Sequence, residues 1–304
     1  MRVLIAGWSS VLHGEATAGD VLAVEAVTAH LTAGGHDVVR TWSPAMALAH
    51  RTRGPGWADA GYDDVDPAGF DAALWVCGPL TGEPVREFHE RFAGLRRVAV
   101  GVSVLDAADP AVTGFHAVVP RDAAGADPQP DLAARPAVGA VDVVGVFLTH
   151  GQGEYGARRR HEAVSAAVGD WLGGLDVARL DLETRLDPRD WRMPARAGHV
   201  LAVVSRLDVV VTSRLHGLVL ALRCGVPALA VDPVHGGGKV SAQAAAWGWP
   251  ALLAAEDVDA GRLGEPFAWC RSPQGREAAA AAGRAAASAG DAQLAALTGA
   301  LTGR

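Results

Sequence analysis

Residues 209–232, VVVTSRLHGLVLALRCGVPALAVD, confine the fold more than any other part of the chain. Two short runs rich in valine, leucine and alanine, at 209–212 and 227–231, are too brief for helices. Serine, glycine and aspartate bound them, so both read as buried strands. The apolar stretch 217–224 between them has the length of a crossover helix. Strand, helix and strand in immediate succession make a βαβ unit, which joins parallel neighbours in one sheet. Residues 213–216 then fall on the strand-to-helix turn at the carboxyl edge of that sheet. An arginine there (Arg214) presents a rigid fork of donors to a carboxylate or phosphate. A histidine beside it (His216) exchanges a proton near neutral pH.

The same alternation runs through the rest of the chain. In the first half, residues 3–6, 37–41, 72–76 and 98–102 are short, β-branched and bounded by glycine or charge. Helical spacing occupies 19–31, and "AGGHDVV" supplies the stop and the next strand. A mixed-charge crossover helix is expected at 83–95. Residues 121–139 are rich in proline, alanine and aspartate and read as a linker. Beyond it come strands at 141–148, 177–181, 209–212 and 227–231, with helices at 159–172, 195–206 and 217–224. From Gly275 onward the chain is alanine-rich and helical, with breaks expected at Gly283 and Gly290. The expected fold is α/β: two Rossmann-like domains, 1–120 and 140–304, with a cleft between them and the terminal helices packing back to the interface. Ligands of open parallel sheets bind beyond the carboxyl ends of the strands, where helix N-termini point at anions.

Composition removes several function classes. There are 27 basic and 34 acidic residues, a net charge of −7, and no long basic block. That excludes a generic nucleic-acid or anionic-membrane surface. The three cysteines, Cys77, Cys224 and Cys270, are too scattered for a disulfide framework or a zinc site, and no metal-ligand spacing occurs. "MRVLIAG" reads as a first strand rather than a signal peptide. No uncharged apolar run is long enough to span a bilayer. A cytoplasmic protein is expected. The chain has no asparagine, one isoleucine and one lysine, Lys239, all other fixed cations being arginines. A lysine that survives such a bias points to a position needing an ammonium group.

The turn "TSRLHG", the apolar helix, "GVPALAVD" and the downstream "GGGKV" resemble the C-terminal signature of the polysaccharide pyruvyltransferase family. "GEATAGDVLAVEAV" (14–27) is similar to that family's first loop and helix, with Thr17 where asparagine is common. "HAVVPRD" (116–122) is similar to the strand and Arg-Asp pair closing its first domain. The resemblance implies a glycosyltransferase-B-like pair of domains. It also implies transfer of a pyruvyl unit from phosphoenolpyruvate to two hydroxyls of a sugar or glycan-like acceptor, as a ketal. In that chemistry Arg214 would clamp the donor carboxylate. His216 would protonate the methylene carbon, and Lys239 would neutralise the departing phosphate. Ser213, Leu215, Gly238 and His150 complete the donor side, His150 standing with Thr149 where the family usually carries an arginine. His13, Glu15, Gly19 and Asp20 form the acceptor side. Neither cofactor nor metal is implied.

Two other readings share these features. A group transferase of the same fold could use another donor, such as a nucleotide sugar. A non-catalytic binding protein is the third, although it gives no reason for a lone lysine after three glycines. His161 reads as a surface residue on a charged helix. Trp57, Trp75, Trp171, Trp191, Trp247, Trp249 and Trp269 read as packing residues, with Trp247 and Trp249 near enough to Lys239 to stack on a sugar. Cys224 reads as inert.

Overall fold

Most of the short apolar segments become strands, and among the described residues every pair of named strands is parallel. The computed structural model describes residues 1–11, 16–50, 58–137 and 139–302. The chain divides into two units, Met1–Val138 and Gly139–Arg304. Each is a Rossmann-like α/β sheet, the composition expected of a glycosyltransferase-B-like chain.

The strands of the first unit are β1 (Arg2–Gly7), β2 (Asp37–Trp42), β3 (Ala58–Gly61), β4 (Ala72–Val76), β5 (Arg96–Val104) and β6 (Ala117–Ala123), in the order β3-β2-β1-β4-β5-β6. Helices α1 (Trp8–Val11), α2 (Ala18–Ala33), α3 (Pro44–His50), α4 (Glu83–Arg91) and α5 (Pro110–Thr113) join them. Side chains alternate across a strand, so β1 feeds two cores. Leu4 and Ala6 meet Trp75, Phe88 and Phe92 on one face; Val3 and Ile5 meet Val24, Val27 and Val38 on the other. Because both faces are covered, the strand reads as an unbroken apolar run. Each fully buried aliphatic side chain contributes roughly 1.5–3 kcal/mol.

The segment read as a linker starts inside this unit. Arg121 and Asp122 lie in β6, and Arg121 pairs with both Asp122 and Asp131. Leu132 packs against the core beneath α2. Strand β3, which lacks β-branched residues, went unread in the sequence.

The second sheet holds β7 (Val143–Phe147), β8 (Ala178–Asp181), β9 (Val209–Thr212), β10 (Ala228–Asp232) and β11 (Leu252–Ala254), in the order β11-β10-β9-β7-β8. Its helices are α6 (His161–Gly173), α7 (Ala197–Val204), α8 (Leu215–Arg223), α9 (Lys239–Trp247), α10 (Ala260–Arg271), α11 (Pro273–Ala285) and α12 (Asp291–Thr302). Gly290, at φ +85°, precedes α12 as expected, but Gly283 breaks nothing. It lies inside α11, where a Cβ would come within 3.0 Å of the Gly225 nitrogen. Here glycine serves a close helix-to-backbone contact. No helix among the described residues is long and apolar enough to cross a membrane.

Two readings are corrected by burial. His161 is fully buried, because it opens α6 on the inward side beneath Tyr155. Trp191 is 92% exposed, the opposite of a packing residue. Trp249 is core as expected, its Nε1 donating to the Ala228 carbonyl.

Candidate functional site

At the end of β9 the polar turn is tightly built. The Thr212 hydroxyl accepts the Arg214 N–H at 2.9 Å and lies 3.0 Å from the Phe147 carbonyl. Ser213 is buried, and its hydroxyl oxygen accepts the Thr149 N–H at 2.9 Å, tying the ends of β7 and β9 together. Arg214 is the residue before α8, so the helix starts two residues earlier than its apolar pattern suggests. Leu215 and His216 therefore sit in its first turn, Leu215 half-buried and His216 exposed. Gly217 has a steric reason: a Cβ would lie 2.2 Å from the Thr212 hydroxyl oxygen.

Arg214 does not point into solvent awaiting an anion. Its Nη1 is 2.7 Å from Glu183 Oε1, and Nη2 donates to Glu183 Oε2 at 3.2 Å. The guanidinium also donates to Thr184 Oγ1 and to the Leu148 carbonyl, each at 3.2 Å. The free carboxylate clamp expected from sequence is thus occupied by a carboxylate of the protein. Burial works to raise the Glu183 carboxyl. The Arg185 N–H, the Arg214 charge and the Thr184 N–H outweigh it and hold the group below the usual glutamate range.

This pair borders a cavity of about 880 Å³ at the β8 edge of the sheet. Arg179, Arg185, Arg192 and Arg214 line it, against Asp181 and Glu183, so four cations face two carboxylates. His150 lines it too, together with apolar residues of β7 and α7. The sequence reading missed Glu183. Its signal was faint: a glutamate just past a strand end, at the sheet edge where the motif arginine emerges.

Lys239, Gly238, Ser213, Leu215 and His216 are not among the residues lining that cavity. Lys239 belongs to a second cluster, at the end of β10. There Asp232, fully buried, accepts N–H groups from Val234 (3.1 Å), Gly238 (2.7 Å) and Ser241 (2.8 Å). It fixes the glycine loop and the start of α9. Gly236 and Gly237 have φ of +73° and +82°, a region that favours glycine. At Gly238 a Cβ would crowd Val234 and Asp232 at 3.2–3.3 Å. The three glycines thus have reasons internal to the loop.

Exposed Lys239 opens α9 with its Nζ 5.8 Å from the centre of the Tyr155 ring. A cation at a helix N-terminus opposes the helix dipole, which suits a position serving a bound anion. The segment before α6 packs over this loop: Arg160 N–H donates to the Pro233 carbonyl, and Arg158 Nη2 reaches the Gly237 carbonyl at 3.4 Å. His235 pairs with Glu256 at 2.6 Å.

In the first unit Asp20 forms a capping box with Thr17. Its carboxylate accepts the Thr17 N–H at 2.9 Å and the Thr17 hydroxyl at 2.7 Å, while Thr17 Oγ1 accepts the Asp20 N–H. Gly19 lies in the same first turn. His13, Glu15 and Trp57 lie outside the described residues. Among the described residues no group of three or more His, Cys, Asp or Glu is arranged to hold a metal ion.

A family model described as polysaccharide pyruvyl transferase matches residues 194–235. The match spans α7, β9, α8 and β10, and ends just before Lys239. No curated protein matches the chain. Among solved structures, the spinosyn rhamnosyltransferase SpnG is similar at 14% identity, covering 93% of this chain and 95% of its own, with a TM-score of 0.36. The calicheamicin glycosyltransferase CalG4 is similar at 13% identity over 100% and 98%, with a TM-score of 0.34. The UDP-GlcNAc 2-epimerase from Methanocaldococcus jannaschii is similar at 10% identity over 90% and 94%, at 0.32. The matched family segment and the two parallel sheets mark a transferase-type enzyme of glycosyltransferase-B-like fold.

Proposed function

We propose that this chain transfers a group from a phosphorylated donor to a hydroxyl of a sugar or glycan-like acceptor, and that the donor is a nucleotide sugar. The supporting observation is the pair of Arg214 with Glu183 on the wall of the 880 Å³ cavity. With Glu183 already paired to it, Arg214 is not free to clamp the carboxylate of phosphoenolpyruvate. A three-carbon phosphate ester would also fill little of a space this size, which suits a larger ligand. A nucleotide sugar brings phosphates for the cavity arginines and ribose or sugar hydroxyls for Asp181 and Glu183 to accept. His216 moves the proton of the reaction. On the donor side His150 lines the cavity with Arg214, while Lys239, Gly238, Ser213 and Leu215 lie outside it and are assigned a phosphate contact beyond its wall. On the acceptor side the candidates are His13, Glu15, Gly19 and Asp20.

Pyruvyl transfer from phosphoenolpyruvate is the second reading, favoured by the family match over residues 194–235. There Arg214 must exchange Glu183 for the donor carboxylate. Calorimetric titration with UDP- and TDP-sugars and with phosphoenolpyruvate separates the two. Binding of a nucleotide sugar that phosphoenolpyruvate does not displace is the expected result. Phosphoenolpyruvate binding alone selects the second reading, and binding of neither overturns both.

A further inference from the structure

Between β8 and α7 the chain runs through LETRLDPRDWRMPAR without a strand or helix, yet its path is braced. Asp187 accepts the Arg189 N–H at 3.0 Å and the Arg189 guanidinium at 2.9 and 3.0 Å. Asp190 does the same for Arg192, at 3.0, 3.0 and 2.8 Å. The Asp187 N–H donates to the Pro194 carbonyl, and the Met193 N–H to the Asp190 carbonyl. Two Asp-x-Arg clamps therefore stand in tandem, and Trp191 lies between Asp190 and Arg192, 92% exposed. The next three residues, Arg192, Met193 and Pro194, line the cavity that holds Arg214 and Glu183.

A large aromatic left in water on a braced loop beside a cavity loses burial energy that the core could have used. Its flat apolar face is open to a ligand. The charge around it identifies the occupant. Residues 181–196 carry Asp181, Glu183, Asp187 and Asp190 against Arg185, Arg189, Arg192 and Arg196, so the charges cancel. An anionic lipid surface or a nucleic-acid backbone calls for an excess of cations. A pyranose calls for an aromatic face against its C–H groups and for donors and acceptors together at the rim. The two clamped pairs supply guanidinium N–H groups and carboxylate oxygens on the same loop as the indole.

We propose that Trp191 is a stacking platform for a pyranose ring of the sugar substrate beside the cavity, with the Asp187/Arg189 and Asp190/Arg192 pairs binding its hydroxyls. This deepens the transferase reading and rests on it for the sugar's role. The test is saturation-transfer NMR on the full chain with methyl β-glucoside, methyl β-galactoside, methyl α-mannoside and N-acetylglucosamine, for wild type, Trp191→Ala and Trp191→Phe. At least one sugar is expected to take up saturation on its ring-face protons. Affinity should fall about tenfold in Trp191→Ala and largely return in Trp191→Phe. Unchanged melting temperatures confirm intact folds. Equal transfer in wild type and Trp191→Ala, or none with any of the four sugars, overturns the proposal. So does Trp191-dependent pelleting with phosphatidylglycerol vesicles. Donor titrations on Trp191→Ala are read separately. Wild-type donor binding without Trp191-dependent sugar contact sinks the platform alone, and sugar contact without donor binding sinks the transferase reading alone.

Discussion

Arg214 and Glu183 face each other end to end, Nη1 to Oε1 at 2.7 Å and Nη2 to Oε2 at 3.2 Å, both side chains about one-fifth exposed. The arginine of the family-like motif therefore joins three neighbouring strand ends: its own after β9, the Leu148 carbonyl after β7 and the Glu183 carboxylate after β8.

Glu183→Gln keeps the shape and removes the charge. Thermal denaturation should show a loss of about 1–3 kcal/mol, between the values for surface and buried pairs. Phosphoenolpyruvate or inorganic phosphate should bind the variant more tightly than wild type, since Arg214 is then uncompensated. Glu183 titrates below its ordinary value of 4.5. The pair's stabilisation is hence present above that value and lost as pH falls through the lowered one. An unchanged anion affinity in the variant would assign Arg214 to bracing alone.

Gly217→Ala places a methyl 2.2 Å from Thr212 Oγ1 and 3.1 Å from Phe147 Cβ. Neither neighbour sits at the end of a flexible chain. A destabilisation of about 1–3 kcal/mol is expected from chemical denaturation. Wild-type stability would show that the turn relaxes freely.

Asp232→Ala strips three backbone N–H groups of their acceptor in a fully buried position. Stability should drop by about 3 kcal/mol or more, because orphaned buried donors carry their desolvation cost. Lys239→Arg, by contrast, should leave the melting temperature alone. It should weaken donor binding or turnover by about tenfold or more, as a planar guanidinium does not replace a compact ammonium. Wild-type kinetics for Lys239→Arg would make the lysine incidental and shift the phosphate role to the arginines of the cavity.

Burial pushes the His161 imidazole below the ordinary 6.5; Arg159 and Lys239 push the same way, partly opposed by Glu162 and Glu154. Unfolding lets it take a proton once pH drops below 6.5, so stability should decline as pH falls from that value toward the lowered one. His161→Phe keeps an aromatic ring against Tyr155 and removes the titration. Its stability profile should be flatter over that window. Some slope should remain, since burial lowers His89 as well. Identical profiles would place the proton uptake elsewhere.

The sequence by itself determined the parallel α/β architecture, because β-branched runs and helical spacing are local signals that both cores reinforce. It also singled out Arg214, His216 and Lys239 as residues of strand-end turns and a glycine loop. It misplaced the start of α8 because Arg214, the residue before the helix, is no capping residue, and it missed β3 and β11, neither of which has a β-branched residue. Tertiary structure alone decided what these side chains meet. Sheet order, not chain order, brings the ends of β8, β7 and β9 side by side, and so delivers Glu183 to Arg214 from 31 residues away. Burial follows the same rule. His161 is enclosed because Tyr155 folds over the first turn of α6, and Trp191 is left in water because the Asp-x-Arg clamps fold its loop back on itself. Neither outcome is encoded in the residue's own type, since burial is set by neighbours that the fold brings together across the chain.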